Sequence, residues 1–175
     1  MAPKTTRAET YIPFSAATHA VGISQKRVRN WLDRNLIHLD ADEERAGETG
    51  HRRFSQLDVI RLGIIARLTV YGFSAERASE IVEDLLDGLL DVSEFPAKPQ
   101  LSRREKILGS LRTTSMTLWW NEDDETDHSQ SYDNRKPEPK SSRKHDARLV
   151  LNIGQMVETM YDRLEAAGLL GDASE

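Results

Sequence analysis

At 175 residues, 38% hydrophobic and 30% charged, the chain has enough apolar material for one compact core, with room for a small second module. It contains no cysteine, which excludes disulfides, Cys-ligated zinc and thiol-based sensing of redox state or soft metals. The net charge of −5 is unevenly divided: residues 1–80 carry 12 Lys+Arg against 10 Asp+Glu, a net of +2, while residues 81–175 carry 12 against 19, a net of −7.

Taken in chain order, the first ten residues are polar and expected to be loose. Ser15 is a candidate cap for a short helix, Ala16–Val21, with Phe14, Ala17 and Val21 at core-facing spacing. Gly22 breaks it, and Ser24 caps a second helix, Gln25–Arg34, whose Val28, Trp31 and Leu32 fall on one face. Asn35 suits a left-handed stop, after which Leu36 and Ile37 run out as an extended piece. The polar stretch from Asp40 to Gly50, followed by His51-Arg-Arg-Phe54, predicts a hairpin with extended residues on both sides of its loop. Ser55 and Asp58 form a capping-box pattern at the head of a helix with Leu57, Ile60, Leu62, Ile64, Ile65, Leu68 and Val70 apolar. After Gly72-Phe73, Ser74 caps a further helix whose stripe is Ala78, Ile81, Val82, Leu85, Leu86 and Leu89.

Pro96 and Pro99 mark a linker, and Ser102 with Glu105 opens a short helix through Leu111. Met116–Trp120 is a candidate strand. Residues 121–146 hold no Ile, Leu, Val, Phe, Met or Trp and read as a disordered charged loop. Arg148–Ile153 alternates as a strand, and Gln155–Ala167 is patterned as a helix stopped by Gly168. The expected organisation is therefore a helix-turn-helix with a wing over 11–92, a linker with a short helix and strand over 93–120, the loop over 121–146, and a strand plus helix over 147–170 for oligomerisation or partner binding.

Two short helices joined by a tight turn, the second one basic, meet the physical requirement for reading the major groove. Ser24, Gln25, Lys26, Arg27, Arg29 and Asn30 lie on the cap and first turns of that second helix, and between residues 26 and 34 only Asp33 opposes the four cations. Arginine and lysine pair with guanine or phosphate and glutamine with adenine, although Gln25 reads equally well as an exposed first-turn residue. His51, Arg52 and Arg53 at the hairpin exit would add backbone grip, which sets affinity and register more than sequence choice. Trp31 shares a face with Val28 and reads as core.

Three runs resemble the MerR family: Gly22-Ile-Ser-Gln-Lys-Arg-Val-Arg29-Asn-Trp31 through Ile37, Gly50-His-Arg-Arg-Phe54 with the following Ser-Gln-Leu-Asp-Val, and Tyr71-Gly-Phe-Ser-Ala-Glu76. They occur in family order and cover about residues 11–90. The resemblance implies a MerR-type winged helix-turn-helix that binds double-stranded DNA as a homodimer on an inverted repeat and regulates transcription, with RNA polymerase as a further partner. It also implies that Arg29 is the recognition-helix arginine and that Arg52 and Arg53 are the wing-exit arginines. Asn30 and Asn35 depart from the pattern, the first standing at an aromatic position and the second at a glycine. Pro96 and Pro99 depart further, since they would interrupt the long dimerising helix that members commonly carry.

The expected fold is mainly α, a winged helix-turn-helix with a small helical or α+β C-terminal module. No cofactor is expected. Asp123, Asp124, Asp127 and His128 lack the spacing of a calcium loop, and no phosphate-binding glycine loop or nucleophile motif points to an enzyme. No apolar run approaches the roughly 18–20 residues of a membrane span, so a cytoplasmic, nucleoid-associated protein with no membrane partner is expected. Trp119-Trp120 is read as packing on the last helix, and the basic run Arg135–Lys144 as a solvated linker. Two rivals stay open: an architectural or excisionase-like DNA-bending protein, and an interaction adaptor working through the acidic half.

Overall fold

The computed structural model describes residues 11–39, 53–91, 108–120, 127–133 and 147–170. Its elements are β1 (Ile12–Pro13), α1 (Phe14–Val21), α2 (Gln25–Asp33), β2 (Arg53–Phe54), α3 (Gln56–Val70), α4 (Ala75–Asp91), β3 (Thr114–Trp120), β4 (Asp127–Asp133), β5 (Ala147–Asn152) and α5 (Ile153–Ala166). The organising element is α3, whose residues Leu57 to Ile65 are all buried. It can be apolar nearly all round because α1, α4 and α5 each pack against it. The expectation of a mainly α protein with a small C-terminal module holds, and the module is of the α+β kind.

Local chemistry sets the helix ends. The Ser24 hydroxyl accepts from the Arg27 amide at 3.3 Å, and the Ser74 hydroxyl accepts from the Arg77 amide at 3.1 Å. At α3 the box is reciprocal: the Asp58 amide donates to Ser55 Oγ at 3.1 Å, and the Ser55 amide donates to Asp58 Oδ2 at 2.8 Å. Asn35 is left-handed at φ 55°, and the Leu36 amide returns to the Trp31 carbonyl at 2.9 Å, closing α2.

Three local expectations are corrected. Helix α1 begins at Phe14 with Pro13 as its cap, because proline fixes the entering backbone angle; Ser15 lies inside the first turn. Leu36–Ile37 is not a strand, and the residues of β2 pair instead with β1, Phe54 opposite Ile12 and Arg53 opposite Pro13. That pairing buries Ile12 and Phe54 together, whereas Ile37 reaches the core without a strand partner. Val70 is not core but 69% exposed, since the last turn of α3 runs past the helices that cover the rest.

The C-terminal module is a three-stranded antiparallel sheet in the order β4–β3–β5 with α5 packed against β3. The expected disordered loop over 121–146 is corrected for residues 127–133, which form β4, in register from Asp127 opposite Trp120 to Asp133 opposite Thr114. An edge strand draws its stability from ladder hydrogen bonds and needs no aliphatic side chain, so a polar stretch escaped a reading based on hydrophobic alternation. Along β3, Met116 and Leu118 enter the core shared with Leu151, Val157 and Met160. Trp119 is buried on the alternate face and stands outside that cluster.

The two regions share one core. A single cluster runs from Ile12 and Val28 through α3 and α4 to Leu111, Leu118, Ile153 and Leu164. At Gly63 the side chain of Met160 on α5 packs directly on α3: a Cβ there would run into the Met160 thioether. Two polar ties flank the contact. Tyr161 donates its hydroxyl to Gln56 Oε1 at 3.2 Å, and Arg163 donates to the Ala20 carbonyl, in the last turn of α1, at 2.8 Å.

Candidate nucleic-acid interface

Helices α1 and α2 meet at a corner formed by Gly22 and Ile23. Gly22 takes φ 78°, a conformation that L side chains rarely adopt, and the Gly22 and Ile23 amides both return to the Thr18 carbonyl at 3.0 Å. The corner is held from inside by Val28, Trp31 and Leu32, all buried. Everything else on the first two turns of α2 faces outward: Ser24, Gln25, Lys26, Arg27, Arg29 and Asn30 are exposed. The Ser24 hydroxyl is engaged in capping, so its remaining hydrogen-bond capacity is what it can offer a ligand.

The cations on this face differ from the arginines behind them. Arg61 lies beside Asp58 and Glu83, at 3.7 Å and 3.4 Å, and Arg77 pairs with Glu80 at 2.7 Å. Lys26, Arg27 and Arg29 have no carboxylate partner among the described residues. Aromatic rings orient two of them: the Arg27 guanidinium lies 4.9 Å from the Trp31 ring centre, and that of Arg29 lies 5.3 Å from the Phe14 ring centre. Arg29 also meets Gln25 Oε1 one turn earlier, at 3.4 Å. These contacts hold the side chains in place while leaving their positive charge unneutralised.

Phe14 joins the helix to the two-stranded ribbon. Its ring sits 5.7 Å from that of Phe54, and the neighbouring Pro13 is paired with Arg53. Arg53 is exposed, on the strand paired with Pro13 at the start of α1. His51 and Arg52, with the whole expected hairpin loop, lie outside the described residues. Phe14 was read from the sequence only as core; its role under Arg29 depends on the angle between α1 and α2, which side-chain spacing does not reveal.

Residues 13–85 match the family model described as MerR HTH family regulatory protein. Over these residues the chain is similar to that family. No curated protein matches the chain. The MerR-type match takes in α1 to most of α4 and ends before the sheet and α5, the region where the sequence departs from the family pattern. Among the described residues no three His, Asp or Glu side chains group as a metal site, and no helix is long and apolar enough to cross a membrane.

Proposed function

We propose that the protein is a DNA-binding transcription regulator that lays α2 in the major groove and grips the flanking backbone with the wing. The observation that carries this reading is the unneutralised face of Lys26, Arg27 and Arg29 at the start of a capped helix, behind a rigid turn. Partial positive charge from the helix N-terminus adds to these side chains, so the end of α2 that leads into the groove is the more attractive to phosphate. Arg29, steadied by Phe14 and Gln25, is assigned to a base edge, with Gln25, Lys26, Arg27 and Asn30 beside it; Ser24, Arg53, His51 and Arg52 are assigned to the backbone. Binding as a homodimer on an inverted repeat, and action through RNA polymerase, belong to the same proposal, and the resemblance over residues 13–85 supports them.

Selection of genomic fragments by the purified full-length protein, followed by footprinting, tests the reading. A protected inverted repeat at a promoter supports a dimeric regulator. Scattered, weakly related sites would favour an architectural role, and no enrichment at low salt would remove DNA binding altogether.

A further inference from the structure

A cavity of about 580 Å³ lies where the α1–α2 turn, the end of α3 and the β5–α5 junction meet. Its size falls within the range of small-molecule sites, roughly 300–1,000 Å³. Val70, Tyr71 and Val150, the large hydrophobic side chains most exposed among the described residues at 69%, 51% and 44%, all line it. Apolar groups left in water on separate elements, yet converging on one hollow, suggest a surface built to be covered. The charged part of the lining is one-sided. Arg27 from α2, Arg67 from α3 and Arg163 from α5 line the cavity, and no Asp or Glu does so among the described residues. Arg67 has no hydrogen bond or ion pair among the described residues. Arg163 gives one N–H to the Ala20 carbonyl and keeps other donors of its fork.

We infer that this cavity binds a small amphipathic organic anion, its carboxylate or sulfonate held by Arg67 and Arg163 and its apolar body resting on Val70, Tyr71 and Val150, and that the bound anion competes with DNA for Arg27. Planar guanidinium forks match a two-oxygen acid group, and the apolar rim selects against bare inorganic ions. The competition rests on the DNA-binding reading above, in which Arg27 belongs to the α2 face. Because coupling of two binding events is reciprocal, DNA weakens the anion as much as the anion weakens DNA.

The test titrates anilinonaphthalene sulfonate into the full-length protein by fluorescence, with near-UV circular dichroism as the check of native packing. Saturable binding of one probe per chain is expected, weakened about tenfold in Arg67→Gln and in Val150→Glu, both at exposed positions that leave the core intact. Uncharged phenylnaphthylamine should bind wild type and Arg67→Gln alike. Absence of saturable binding, or equal probe affinity in wild type and both variants, overturns the site. In parallel, saturating probe should weaken binding of a short DNA duplex several-fold in wild type; an unchanged affinity overturns the competition. A chain that binds the probe as expected but no DNA at any salt would overturn the regulator reading and leave the anion site standing, so the two failures are distinguishable.

Discussion

Helices α2 and α5 are both short, amphipathic and arginine-bearing, yet they use their arginines in opposite ways. On α2 the cations face outward, steadied by aromatic rings and by no carboxylate among the described residues. On α5 Arg163 reaches back to the end of α1, Tyr161 ties to Gln56, and Met160 fills the space left by Gly63. The difference teaches that charge alone does not mark a binding helix. What distinguishes α2 is that its cations are positioned but not neutralised, whereas the polar groups of α5 serve to hold the C-terminal module against the helix-turn-helix. The module is thus a buttress behind the α1–α2 corner.

The comparison breaks most visibly in the shared core. Leu118→Ala, far from α2 in sequence, should cost about 2–5 kcal/mol, read by urea unfolding. If the two regions form one cooperative unit, the signal of Trp31 and that of the Trp119–Trp120 pair, separated by Trp31→Phe and by the double variant Trp119→Phe/Trp120→Phe, should move together. Separate midpoints would make the module an independent domain. Replacing Arg29 and Arg53 together with alanine should weaken duplex DNA binding by at least about tenfold, on the basis of roughly 1–3 kcal/mol for a lost base contact, with the unfolding midpoint unchanged. Ser55→Ala, which opens the capping box at the head of α3, should lower stability by about 1 kcal/mol. Tyr161→Phe should have the smallest effect, roughly 0.5–1.5 kcal/mol for one hydrogen bond, and should leave DNA affinity unchanged.

The N-terminal region was legible because its information is local. Ser24, Ser55 and Ser74 announce helix starts, Asn35 a left-handed stop, and Val28, Trp31 and Leu32 a buried face, and each of these needs only neighbours within four residues. The same local pattern exposes Gln25, Lys26, Arg27 and Arg29. Features that depend on distant pairing were not legible. The partner of Phe54 is Ile12 and not Ile37, and β4 is set by its ladder to β3 and not by a hydrophobic pattern. The cavity could not be read either, since Arg27, Arg67 and Arg163 come together only when α5 docks. One signal was present: a glycine at position 63, inside an otherwise apolar helix, marks a close approach by another element.

The salt dependence of duplex DNA binding tests the central claim most directly, comparing the wild type with a variant carrying alanine at Lys26, Arg27 and Arg29. The account predicts that the variant folds normally, binds much more weakly, and loses about 0.9 from the log–log salt slope for each phosphate contact removed. Equal affinity and an equal slope in the two proteins would contradict it, because the outward cations of α2 would then play no part in binding.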